Sequence, residues 1–144
     1  MEKIILISLL LVLTLNANSF KKIKEFENIQ KNKKVFVILS MEYCGWCKKQ
    51  KNEVNKYIVN KYDYMEYIII DKSSNAFRKL VSTGKFDTRF FPSSSIIIID
   101  DKNEVNDIFE FVGYQSADNI IEILNDKEIM EIYDNWEIHL LCKD

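Results

Sequence analysis

The chain has 144 residues, with 20 Lys and Arg against 22 Asp and Glu for a net charge of −2. That length holds one ordinary domain and is short for two, and an apolar share of 47% beside a charged share of 29% fits a globular protein. Balanced charge without a long block of one sign gives no electrostatic footprint for nucleic acid, and the 3 Gly and single Pro are so few that each marks a place where the backbone has a specific demand.

In chain order, Met1-Glu2-Lys3, the apolar run Ile4 to Leu13 and the small residues Ala17 and Ser19 supply the three parts of a secretory signal peptide. The run is shorter than the ~20 residues a bilayer span needs, so the reading is a cleaved leader over residues 1–19 and a mature domain over 20–144. Export would place the three cysteines in an oxidising compartment.

Phe20, Ile23, Phe26 and Ile29 recur every third residue and predict a short amphipathic helix over 20–31. Val35 to Leu39 is a continuous apolar run of strand length, as expected for a strand buried on both faces. From Cys44 to Asn60 a second amphipathic helix opens at the cysteines, with Cys47, Val54 and Ile58 on one face and Lys48, Lys49, Lys51, Asn52 and Lys56 elsewhere. Tyr67 to Asp71 reads as a strand, and residues 74–82, with Phe77, Leu80 and Val81, as a short helix closed near Gly84. Ile96 to Ile99 is a strand entered almost directly from Pro92. The turn cluster Asp100 to Asn103 sends the chain back through Val105 to Val112 as a hairpin, closed by Gly113. Ser116 or Asp118 caps a helix carrying Ile120, Ile121 and Leu124. Ile129, Ile132, Tyr133, Trp136, Leu140 and Leu141 continue the helical spacing through a C-terminal extension over 126–144. Parallel crossovers followed by a hairpin predict an α/β domain with a mixed four-stranded sheet, helices on both sides and an extra C-terminal helix.

The chemistry-bearing motif is Cys44-Gly45-Trp46-Cys47. At a helix start the first sulfur meets unpaired backbone N–H groups and the positive end of the helix dipole, which favours its thiolate. Cys44 is therefore the expected nucleophile, and Cys47, one turn in, the thiol that resolves a mixed disulfide. Covalent haem attachment needs His after the second Cys, and position 48 is Lys. Three bland alternatives stand beside the redox reading. One is a structural disulfide, although so short a loop is a weak staple. Another is a zinc set completed by His139 and Cys142 from the tail. The third is a binding module that keeps the cysteines incidentally. By default His139 is an ordinary histidine and Cys142 an unpaired thiol near the C-terminus; no metal or cofactor is expected.

Val35 to Leu39 leading into Tyr43-Cys44-Gly45-Trp46-Cys47-Lys48-Lys49, Phe91-Pro92-Ser93 before the Ile96 to Ile99 strand, and Val112-Gly113-Tyr114 before the next helix together resemble the thioredoxin superfamily, and within it small exported bacterial thioredoxin-related proteins. The resemblance spans roughly residues 30–125 and implies a thioredoxin fold. It also implies a cis peptide at Phe91-Pro92 lying against the cysteines. Tyr43, Trp46, Phe91 and Tyr114 would frame an apolar groove for an extended protein substrate, while Phe90 would pack in the core. The implied activity is that of a periplasmic thiol-disulfide oxidoreductase, working as reductase or isomerase on protein thiols and disulfides and recharged by a membrane electron donor. Two positions depart from the pattern. Ile38 stands where cytoplasmic thioredoxins carry a buried acid, which leaves proton transfer at Cys47 to water or another group, Glu42 being the nearest acid. The Gly45-Trp46 dipeptide is neither the Gly-Pro of reducing thioredoxins nor the Pro-His of strong oxidases.

Overall fold

The computed structural model describes residues 20–132 and 134. The leader assigned to 1–19, and Tyr133, Trp136, His139, Leu140, Leu141 and Cys142 of the tail, lie outside the described residues. Among the described residues no helix is long and apolar enough to cross a membrane.

The sheet grows outward from β2 (Val35–Ser40), whose first five residues are all fully buried, as an apolar run with no polar face requires. β3 (Glu66–Asp71) lies parallel to β2 on one side; β4 (Ser93–Ile99) lies antiparallel on the other and turns back into β5 (Val105–Val112). Helix α1 (Gly45–Tyr57) makes the crossover from β2 to β3, α2 (Asn75–Ser82) follows β3, and α3 (Ala117–Leu124) follows β5. Ser74 and Ser116 cap α2 and α3, their hydroxyls accepting the N–H groups of Phe77 and Asn119.

Two predicted elements differ. The 20–31 segment is not a helix: it begins as a two-residue strand, β1 (Lys21–Lys22), paired in parallel with Ile68 and Ile69 of β3, and continues through a 3-10 turn at Phe26–Asn28. The reason is that its apolar residues do not share a face. Phe20 packs with the α1 side of the sheet, whereas Ile23, Phe26 and Ile29 pack with the α2 side, so the segment straddles the sheet edge. The sheet consequently has five strands, ordered β1-β3-β2-β4-β5, rather than four. Of the expected C-terminal helix, the described residues contain the turn α4 (Lys127–Met130), which buries Met130, with Ile132 and Asp134 also helical beyond it.

Two apolar layers cover the sheet. Phe36, Ile38 and Ile96 face Val54 of α1, Ile58 just past its end, and Ile120 and Leu124 of α3. Val37, Leu39 and Ile97 face Phe77 and Leu80 of α2. Leu39 pairs with Ser93 and Ser40 with Asp71. The loop leaving β2, the end of β3 and the start of β4 therefore meet at one end of the sheet, and the cysteines lie there.

Candidate active site

The chain leaves β2 through Tyr43, a non-glycine residue with φ of 60°. This left-handed backbone costs ~1 kcal/mol or more and throws the Tyr43 side chain outward, 97% exposed. Cys44 then takes the N-cap position of α1, where a Ser or Asp is usual. Its Sγ accepts the Cys47 N–H at 3.1 Å, and its carbonyl accepts the Lys48 N–H at 3.2 Å. Cys44 and Cys47 are joined as a disulfide with their Cα atoms 5.2 Å apart. Cys47 faces inward and is only 5% exposed, while Cys44 is half-buried. An incoming sulfur thus meets Cys44 first, and the Cys47 N–H in the first turn of α1 is already directed at that sulfur.

The Phe91–Pro92 peptide is cis and Pro92 is buried. Since Ser93 pairs with Leu39, Pro92 sits level with the exit of β2. The predicted aromatic frame divides between two sides. Tyr43 lines an open cleft of 520 Å³ beside Cys44 and Cys47, floored by Phe20, Ile38, Met41 and Ile69. On the other side Trp46, 57% exposed, packs on Tyr114 with ring centroids 5.2 Å apart, and Lys49 lies over both rings. Phe91 is not part of the cleft lining. It stacks on Phe77 in the α2 layer with centroids 6.0 Å apart, and the core role expected for Phe90 is filled by its neighbour: Phe90 is exposed. An adjacent pair entering a strand puts its two side chains on opposite sides, and the α2 layer takes the second.

Ile38 and its β3 partner Ile69 both line the cleft, so its floor is apolar where a buried acid was the alternative. Glu42 is exposed and lines a separate polar cleft with Glu25 and Arg78. The carboxylate that does share the cysteine cleft is Asp71, at the end of β3. The Ser73 hydroxyl and then its backbone N–H, with Lys22 beyond, hold the Asp71 carboxyl below the usual carboxylate range. It is a fixed negative charge, ill suited to carrying a proton at neutral pH.

Gln50 belongs to the site although no motif marks it. It sits one turn after Cys47 on the buried face of α1 and is completely inaccessible. Its amide closes a two-point clamp on one backbone unit: Nε2 donates to the Gln115 carbonyl at 3.0 Å and Oε1 accepts the Gln115 N–H at 2.7 Å. That clamp fixes the loop carrying Tyr114 against α1. Helical spacing from Cys47 to Val54 marks position 50 as inward-facing; its polar identity concealed this.

No protein-family model and no curated protein sequence matches the chain. Solved structures do. Chloroplastic thioredoxin z superposes with a TM-score of 0.56 at 19% identity, covering 76% of this chain and 95% of that one. A thioredoxin-like protein of Clostridium perfringens gives 0.58 at 16% identity over 81% and 87%. Oxidised thioredoxin O2 of Arabidopsis thaliana gives 0.55 at 12% identity over 74% and 92%. The chain therefore has the thioredoxin fold. Within that fold it carries a Cys-x-x-Cys disulfide at the start of α1, with a cis-proline at the same end of the sheet.

Proposed function

We propose that this protein is a periplasmic thiol-disulfide oxidoreductase, acting on protein disulfides as a reductase or isomerase. The observation that carries the reading is the asymmetry of the pair: a half-buried Cys44 that lines the cleft at a helix N-terminus, its sulfur accepting the Cys47 N–H, beside a buried Cys47. In the reduced enzyme the Cys44 thiolate attacks one sulfur of a substrate disulfide. A Cys44–substrate bond forms and the other substrate sulfur leaves as a thiolate, which takes up a proton. Cys47 loses its proton and attacks Cys44 Sγ, releasing the second substrate thiol and closing the Cys44–Cys47 disulfide. Two electrons pass to the substrate, and a dithiol donor at the membrane returns them. Export by cleavage after residue 19 belongs to the same proposal and rests on the leader-like composition of residues 1–19.

Titration of the Cys44–Cys47 couple against a glutathione series, read by thiol trapping, tests the activity. A reversible two-electron transition near about −270 mV marks a reductase, and one near about −120 mV a disulfide donor. Absence of any reversible transition leaves a thioredoxin-fold binding module. Finding the chain uncleaved in fractionated cells overturns the export reading.

A further inference from the structure

The cleft beside the cysteines has a charge pattern that the chain as a whole does not share. Lys22, Lys48 and Lys51 stand around its apolar floor, with Asp71 as its one carboxylate among the described residues. Lys49, over the Trp46 and Tyr114 rings, and Lys72, over Phe91, extend the same sign around the disulfide, and Glu42 is the remaining acid of the β2–α1 loop. Within the cleft, three lysines against one carboxylate leave an excess of two positive charges among the described residues, in a chain of net charge −2. None of the five lysines joins an ion pair among the described residues, where the pairs formed are Lys21–Glu66, Lys34–Asp134, Lys79–Glu27 and Arg89–Asp87. Asp71 is held ionised next to Lys22, so the charges left for a partner are chiefly those of Lys48 and Lys51.

We infer that the cleft docks an extended protein segment bearing acidic residues in an acid-x-acid pattern next to the cysteine that reacts with Cys44. Lys48 and Lys51 are three residues apart on α1, a spacing that puts their side chains ~5–6 Å from one another at the root. Alternate residues of an extended strand point the same way and lie ~6.5 Å apart, so two carboxylates separated by one residue meet both lysines at once. The residues that follow toward the disulfide lie over Phe20, Ile38, Met41 and Ile69, which favours apolar side chains there. The sulfur at the end of such a segment reaches Cys44, which lines the same cleft. This selectivity rests on the oxidoreductase reading and adds a substrate class to it.

The test uses the Cys47→Ser variant, in which a mixed disulfide at Cys44 is not resolved. Three synthetic peptides share one apolar stretch and one cysteine activated as a thionitrobenzoate disulfide, and carry Glu-x-Glu, Gln-x-Gln or Lys-x-Lys at the same place. Release of thionitrobenzoate gives the rate of Cys44 attack. The Glu-x-Glu peptide is expected to react about fivefold faster than Gln-x-Gln at low salt, with Lys-x-Lys slower than both. High salt and the Lys48→Gln/Lys51→Gln replacement, made in the same background, should each bring the three rates together. Equal rates at low salt, or a faster Lys-x-Lys peptide, overturn the acidic docking while leaving the redox function standing. Failure of all three peptides to form a mixed disulfide overturns the oxidoreductase reading and the docking with it.

Discussion

Replacing Gln50 with Ala removes a buried amide whose two bonds both end on the backbone of Gln115. The Gln115 N–H and C=O then lose their partners together. A backbone group left unpaired in the interior costs ~1–3 kcal/mol. The Gln115 end is only part-buried, so the lower end of that range applies to each group; adding ~1 kcal/mol for the lost methylene burial gives ~3 kcal/mol in all. For a domain of this size that lowers Tm by on the order of 10 °C. The assay is urea unfolding of the oxidised chain followed by far-ultraviolet circular dichroism, where the midpoint should fall with the slope unchanged. The informative comparison is Gln115→Ala. It keeps both clamped backbone groups and loses only exposed side-chain bonds to Val112 and Asn119, so its cost should stay within ~0.5 kcal/mol. If Gln115→Ala proves as damaging as Gln50→Ala, or Gln50→Ala is neutral, the clamp does not hold the Tyr114 loop.

Two further outcomes follow from buried hydroxyls. Tyr67 is buried and donates to the Tyr62 carbonyl at 2.6 Å. Burial first, then the charges of Tyr64, Asp63 and Tyr62, push its phenol well above the usual tyrosine range. A raised phenol pKa means that the folded state keeps a proton the unfolded chain gives up near pH ~10. Stability is therefore complete below that pH and falls as pH rises above it; Tyr67→Phe should lose ~1 kcal/mol at neutral pH yet show a shallower alkaline decline, and an unchanged alkaline slope would falsify the assignment. Ser95 lies fully inside β4, and its hydroxyl has no partner among the described residues. Ser95→Ala should accordingly be neutral or stabilising by up to ~1 kcal/mol in the same urea experiment; a clear loss of stability would show that the hydroxyl is satisfied.

The legible parts of this chain are those in which one physical signal dominates. Val35 to Leu39 has no polar face and becomes the doubly covered central strand. The Asp100 to Asn103 cluster between two β-rich runs becomes the β4–β5 hairpin. Cys44 and Cys47 at the head of an amphipathic run become the capped disulfide, and Pro92 the cis-proline. What misled is equally specific. Apolar residues every third position at 20–29 suit a helix and an edge-crossing segment alike, because periodicity does not say which faces exist to be covered. Phe90 and Phe91 are indistinguishable by composition, and only the position of Phe77 decides which is buried. Gln50 and Asp71 lay outside any motif: the first was masked by polarity on an inward face, and the second became relevant only once β3 was paired beside the end of β2 at Ser40.

The short strand β1 has a practical consequence for anyone handling this protein. Between the flanking carboxylates of Glu66 and Asp71, Tyr67-Ile68-Ile69-Ile70 is an uncharged, largely β-branched run of the kind that templates aggregation when its backbone is left open. Lys21 and Lys22 close the middle of that edge, and the Ile23 N–H adds a further bond to the Ile69 carbonyl at 3.0 Å. Phe20 and Lys22 also line the cysteine cleft. A shortened version beginning after Ile23 would therefore strip the protective edge and one wall of the cleft together, so self-association and altered thiol reactivity should arrive as a single defect.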